Sequence, residues 1–599
     1  MIDPLKHSRL GHGAMSLAMP QALPLALACL PLLIGCGDAE LGKNEPPFSA
    51  LLITLDTTRA DALTPYGNRP EVTPELQIFS ETAVLYERAH TVTPVTLPSH
   101  TSMLTGLYPP RHTVRDNGLW ALPQSAQTLA ETAKERGLST AAFLSAIVLS
   151  ESFGLSQGFD LYITPDDASS DGTTHVDERT ATEVIDDTIE WLSKRMDGER
   201  FFLWVHLFDA HGPHEAPPEF RFGALEKNPY HGEIAYADSQ IARLFGWMEE
   251  RGMMDSTFIA VVADHGEAFG EKNEFSHGGY CNESTMRVPF MLRDPGGYRA
   301  GDRSRETVSV VDVYPTLAAA MGLDVSSSID GKSLFRSEIP EGRGIYLESY
   351  VGYLSFGWSP LAGWVVGDRK YLHSSEPELY DLGADPTESR NLFSVRAEEV
   401  KGYQREMALM YQREALVPDD ESTASERLED IRGLGYISMG APTADVPNPL
   451  LPSDRPSPAS MVLVHRATLV AMGLNNAGRV KEAEEAFVKV LDEHPDNHFA
   501  RNLLAFCLMR QNRKLEAIPL LQRVISEGPQ WPDTYSNLGI CLAENGRLEE
   551  AEESFRGALN LDPNKPESLF GLSQVLKQTG RKEEGAKLRA RWEELTKGS

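Results

Sequence analysis

The 599-residue chain is too long for a single hydrophobic core, so two or more domains are expected. With 41% apolar and 24% charged residues it has the composition of an ordinary soluble globular protein. Its net charge of -31, from 56 basic against 87 acidic residues, excludes a nucleic-acid binder, because neutralising phosphates needs a surplus of Lys and Arg.

The chain begins with a weakly basic opening (Lys6, His7, Arg9) and the apolar run "PQALPLALACLPLLIGCGDAE", too short to span comfortably as a mature membrane helix. The run ends at "LIGC", Leu33 to Cys36. This resembles the lipobox of bacterial lipoproteins, in which the cysteine is diacylated and becomes the new N-terminus. The resemblance implies a signal peptide over residues 1–36 and a tether over 37–47. It also implies export to the bacterial cell envelope, periplasmic or outer-surface, with acyl chains on Cys36 anchoring the protein to the membrane. Five cysteines make no disulfide framework, and no CxxC pair exists; Cys507 and Cys541 read as small buried apolar residues.

Residues 48–416 read as one large domain. Its apolar runs "SALLITLD", "STAAFLSA", "RFFLWVHLF" and "STFIAVVAD" are short and rich in branched or aromatic residues. Between them lie helical patterns such as "ATEVIDDTIEWLSKRM". Strands buried on both faces and alternating with helices predict an α/β fold with a doubly wound, mostly parallel sheet. Such sheets bind ligands beyond the carboxyl ends of their strands.

Acids and imidazoles follow those runs. Asp56 follows the first, Asp209, His211 and His214 follow the third, and Asp264 and His265 follow the fourth. A carboxylate or imidazole directly after a fully apolar strand is costly unless paired or metal-bound. One such residue reads as a cap or turn residue; three strands delivering them to one sheet edge read as a metal site, and mixed oxygen and nitrogen donors suit Zn, Mn or a similar divalent ion.

With these residues in place, the chain resembles the sulfatase-like branch of the alkaline phosphatase superfamily. "LLITLDTTRADAL", "TPVTLPSHTSMLTGLYPPRH" and "VVADHGEAFGEKNEFSHGGYCNESTMRVPFML" match its first metal, nucleophile and second metal motifs. "VSVVDVYPTLAAAMGL", "DGKSL" and "PELYDLGADPTESRNL" match later landmarks, in order. The resemblance implies that fold with a small C-terminal subdomain. It puts Thr96 at the nucleophile position, itself bound and activated by the metal ion, and Asp56, Asp264 and His265 at the metal-ligand positions that hold that ion. His211 and His277 fall where the branch contacts the transferring group. Asn117 resembles a further substrate contact, His100 replaces the arginine of the nucleophile motif, and Arg59 reads as a supporting ion pair. One divalent ion (Zn, Mn or Ca) is expected. A second would need another carboxylate and two imidazoles, for which Asp209, His211, His214 and His277 are candidates.

The departures from the pattern bear on the reaction. Thr57 stands where many sulfatases carry a second aspartate. Thr96 cannot become formylglycine, since oxidation of its β-carbon would give a methyl ketone. The stretch "STAAFLSAIVLSESFGLSQGFD" lacks the Lys and His that grip sulfate in that branch. An unmodified threonine is instead similar to the phosphodiesterases and phospho-group transferases of the superfamily.

Residues 417–459 turn rich in Pro, Ser and Asp and read as a linker, with "LEDIRGLGYI" inside it expected to pack back on the first domain. Residues 460–599 repeat: Gly478, Asn512, Gly546 and Gly580 share one register, as do Ala483, Ala517 and Ala551, and Pro495, Pro529 and Pro563. The 34-residue spacing is the tetratricopeptide period, which predicts an all-α superhelix with a concave face for a protein or peptide partner. The function expected is metal-dependent hydrolysis of phosphate, phosphonate or sulfate esters through Thr96, on a small-molecule, glycan or lipid substrate. The alternatives are a phospho-group transferase on envelope lipids or glycans, and a catalytically idle scaffold working through its repeats.

Overall fold

Each of the apolar runs forms a strand, because a short segment of branched and aromatic residues buried on both faces leaves only its backbone to be satisfied, and neighbouring strands do that. A computed structural model describes residues 47–118, 120–165, 178–196, 198–223, 225–419, 446–528 and 530–595. Cys36 and the "LEDIRGLGYI" segment lie outside them. The main sheet has eight strands: β1 (Ser49–Leu55), β2 (Val84–His90), β3 (Ser139–Phe143), β4 (Leu161–Ile163), β5 (Phe201–Leu207), β6 (Thr257–Ala263), β7 (Phe290–Arg293) and β8 (Arg303–Ser309). Their order is β4-β3-β5-β1-β6-β7-β2-β8. Only β7 runs antiparallel to its neighbours, so the sheet is mostly parallel as expected. The central strands β1, β5 and β6 are buried along their whole length.

Register places the site. Leu55 is level with Leu207 on one side and with Ala263 on the other, so these strands end together and the next residues of each emerge at one edge. Helix α1 (Thr96–Thr105), every residue of which is buried, starts at that edge. Helices α2 (Ala181–Ser193) and α3 (Pro229–Glu250) belong to the same layered body. The small C-terminal subdomain is an antiparallel sheet of β9 (Gly344–Ser349), β10 (Leu361–Val366), β11 (Arg369–His373) and β12 (Glu378–Asp381), with the short helix α4 (Val351–Phe356) after its first strand.

Residues 446–457, expected as linker, lie against this body. Val446 and Leu450 pack on the main core, Tyr350 donates to the Pro447 carbonyl (2.8 Å) and the Ser359 amide donates to the Pro456 carbonyl (2.9 Å). The repeats follow as four helix pairs. They are α5 (Pro458–Asn476) with α6 (Val480–Glu493), α7 (His498–Arg510) with α8 (Lys514–Glu527), α9 (Pro532–Glu544) with α10 (Leu548–Leu561), and α11 (Pro566–Gln578) with α12 (Lys582–Leu595). The shared register has a backbone cause. Gly478, Asn512, Gly546 and Gly580 all adopt left-handed φ (75°, 60°, 75° and 89°), which Gly and Asn tolerate at helix ends. Ala483, Ala517 and Ala551 are fully buried where paired helices meet. Among the described residues no helix is long and apolar enough to cross a membrane.

Ile53→Ala empties a fully buried position in the central strand. It is expected to destabilise the large domain by about 2–5 kcal/mol, read from the midpoint of its urea unfolding transition.

Candidate active site

Asp56 leaves β1 and Asp264 leaves β6, both with no exposed surface. The chain turns sharply between them: Thr57 takes a left-handed φ of 46°, unfavourable for a β-branched residue. That turn lets the Thr57 amide donate to Asp264 Oδ1 (3.2 Å), which also accepts from the His265 amide (2.7 Å). His206 Nε2 lies 3.2 Å from Asp56 Oδ2. The other oxygens, Asp56 Oδ1 and Asp264 Oδ2, are buried with no hydrogen-bond partner. Ligand atoms of Asp56, Asp264 and His265 all lie within 4.8 Å of one another. Burial pushes Asp56 up to about 7 against the opposing pull of His277; burial and then the neighbouring Asp56 charge push Asp264 well above the carboxylate range. Two orphaned carboxylate oxygens beside an imidazole fit a divalent cation, whose charge would meet the unpaired oxygens.

Thr96 is the first residue of α1, where the helix dipole is positive. Its Oγ1 lies 3.3 Å from His265 Nε2. The Nδ1–H of His265 donates to the Gly266 carbonyl (3.0 Å), so in the neutral ring Nε2 carries the lone pair that faces the threonine and the carboxylates. Ser99, one turn into the helix, donates to the Asp264 carbonyl (2.8 Å) and ties α1 to the end of β6.

His211 and His277 meet with ring centres 5.4 Å apart, and His277 lies 4.5 Å from the His265 ring. Their environments separate them. Burial, then the His277 charge, pushes His211 down to about 3, and its Nδ1–H donates to the Gly212 carbonyl (2.8 Å). Burial also opposes charge on His277, but Glu267, 3.3 Å from Nδ1, outweighs it and raises that imidazole above its ordinary value. Their surroundings thus shift the two rings in opposite directions.

The sulfatase family model matches residues 49–323, and tetratricopeptide-repeat models match residues 474–538 and 532–565. The chain carries a sulfatase-family domain followed by tetratricopeptide repeats. An arylsulfatase of Clostridium perfringens is 28% identical over 265 residues, which is 36% of this chain and 54%, about half, of that relative. An ulvan-active sulfatase of Formosa agariphila is 24% identical over 63% of this chain and 84% of its own length. The phosphonate monoester hydrolase of Agrobacterium radiobacter, 21% identical, shares the fold with a TM-score of 0.51 over 61% of this chain and 95% of that one.

The sulfatase domain distributes the other candidates differently. Asn117 Oδ1 accepts from the Leu97 amide (2.8 Å), so it caps the first turn of α1. His100, expected at the substrate, is fully buried; its Nδ1–H donates to the Thr96 carbonyl (2.8 Å) and its ring packs near Trp204 and His206. A side chain turned back into the helix's own first turn supports Thr96 from below. Asp209 accepts from the Ala181 amide at the start of α2 (3.1 Å), and His214 Nδ1 pairs with Glu233 (2.8 Å). Among the described residues, Asp56, Asp264 and His265 are the one cluster with metal-binding spacing, and neither Asp209 nor His214 belongs to it. Arg59 pairs with Asp61 and Glu271.

Two participants were missed in the sequence. His206 is a lone imidazole inside an all-apolar strand, and its register partner Thr54, two residues before Asp56, was the available clue. Glu267 stands in "DHGE", three residues after Asp264.

Divalent cations added to chelator-treated protein are expected to raise Tm, equivalent to about 2.7 kcal/mol at a hundredfold excess over Kd. The rise should vanish in Asp264→Asn. Thermal melts with and without chelator check this; identical curves for wild type would remove the metal site.

Proposed function

We propose that the chain is a metal-dependent hydrolase of phosphate or phosphonate esters in which unmodified Thr96 is the nucleophile. The observation that carries this reading is the Thr96 hydroxyl at the positive end of α1, 3.3 Å from His265 Nε2 in a cluster with two orphaned carboxylate oxygens. Asp56, Asp264 and His265 would hold the ion (Zn, Mn or Ca), which when bound supplies Lewis-acid polarisation to the hydroxyl and the substrate.

The chain's own groups do the rest. The dipole of α1 favours the alkoxide form of Thr96. Its oxygen forms the bond to phosphorus in line while the bond to the leaving oxygen breaks. Protonated His277 donates to that oxygen, and, once neutral, takes a proton from the water that cleaves the phosphothreonine. Neutral His211 has its proton on Nδ1, so donation to the substrate falls to His277. Glu267 keeps His277 charged for this task.

Relatives named as sulfatases support a sulfate ester as the second reading. Against it stands the chemistry of threonine, which has no hydrate to collapse and expel sulfate. The lipobox reading extends the proposal: export, with Cys36 as the lipid anchor in the cell envelope. The repeats extend it to a protein or peptide partner on their concave face.

A panel of aryl phosphate monoesters, diesters, phosphonates and sulfates, run with metal analysis of the purified protein, tests the reading. Turnover of a phosphorus ester is expected to fall about a thousandfold or more in Thr96→Ala and to persist in Thr96→Ser. Equal turnover by Thr96→Ala and wild type would exclude the mechanism. His277→Ala should cost most on substrates with poor leaving groups, because these depend most on a donated proton.

A further inference from the structure

His277 sits beside a tightly closed loop. The Ala268 amide donates to the Ser276 carbonyl (3.0 Å) and the Gly270 amide to the Glu274 carbonyl (2.7 Å). The buried carboxylate of Glu274 then accepts from the amides of Gly279 and Tyr280 (3.0 Å each) and from Asn282 Nδ2 (2.6 Å). The backbone is therefore held on both sides of the imidazole.

The first repeat helix, α5, leans on the outside of this loop. The Arg466 guanidinium carbon stands 3.6 Å from the centre of the Phe275 ring, two residues before His277. Arg466 covers one face of the Phe275 ring, which otherwise stays 45% exposed. On the other flank, a Cβ at Gly279 would lie 3.6 Å from His465 Nδ1, so only glycine backbone separates that ring from the loop.

A second route converges on the same place. His465 packs on Phe356 and Trp358, with ring centres 4.5 and 5.7 Å away. Phe356 ends α4 and also meets Phe499 of α7 at 4.9 Å. At the other end of α4, Val351 Cγ2 would be 3.5 Å from a Cβ on Gly278, and the Ser349 hydroxyl donates to the Gly278 carbonyl. Repeat contacts thus reach the residues on both sides of His277.

We infer that Arg466 and His465, on the first repeat helix, are positioning residues for His277, so that the repeat array is part of the catalytic centre's support. The inference rests on the role given to His277 above. Direct cover of Phe275 by a cation and of Gly279 by an imidazole restricts the loop's lateral freedom, and displacement of a catalytic group by about 1 Å can cost about a hundredfold.

The test is a double-mutant cycle in the full chain. Arg466 is exposed, so Arg466→Ala should fold with an unchanged melting temperature. It is expected to lower kcat about tenfold with KM held within about twofold. Arg466→Lys, which keeps a cation over the ring, should recover part of the loss. In a His277→Ala background Arg466→Ala should have no further effect, because residues acting as one unit are non-additive. Phe570→Ala, on α11 far along the array, is the control and should leave kcat unchanged. A readout independent of turnover is the His277 imidazole signal in histidine-labelled protein, assigned by its loss in His277→Ala and expected to shift in Arg466→Ala. If the protein turns over no ester, the catalytic reading falls and this signal decides the positioning role. An unmoved signal, or losses that simply multiply in the double variant, overturns the inference.

Discussion

Two carboxylates share a dry pocket at the end of the central strands. Burying one ionised carboxylate costs several kcal/mol even after relaxation, and two side by side repel. The fold nevertheless aims an unpaired oxygen of each at the same space while spending its nearby donors on the others. Asp264 Oδ1 takes two amides and Asp56 Oδ2 faces His206. What is left over is a site whose unpaired oxygens a divalent cation would fit. The left-handed backbone of Thr57 belongs to the same arrangement, since it turns an amide onto Asp264.

From that constraint the rest of the centre follows. The helix that begins at Thr96 is tied to the ligand strand through Ser99, capped by Asn117 and backed by His100, so the hydroxyl is fixed by three separate contacts to its helix. Beyond it the two imidazoles are shifted in opposite directions, His211 down by burial and His277 up by Glu267. Groups of the same chemical type acquire distinct roles through their surroundings.

Much of this was legible in the residues. Asp56, Asp264 and His265 stand directly after fully apolar runs, and strand register makes such residues neighbours. Thr96 was legible through its motif, and the repeats through a period that the left-handed Gly and Asn turns enforce. Asp209 obeys the same strand-end rule but caps α2, because a carboxylate after a strand serves a helix start as readily as a metal. His206 was hidden because an imidazole within an apolar strand reads as core. The embrace of α5 by the catalytic body was beyond reach: Arg466 and Phe275 are 191 positions apart and neither interrupts a local pattern. The region between the two domains reads as linker from its prolines and serines, yet residues 446–457 pack on the body, since side chains such as Val446 and Leu450 find apolar surface there.

Helical arrays of this kind are nearly one-dimensional, each unit stabilised by its neighbours. Here the described stack is held unequally at α5 and at α12. The first is clamped by Phe356 and Trp358; the second buries little beyond Gly585. Thermal fraying therefore has a direction. Local opening is expected to cost least at α12, which buries the fewest side chains, and more at α5, whose His465 is packed on Phe356 and Trp358.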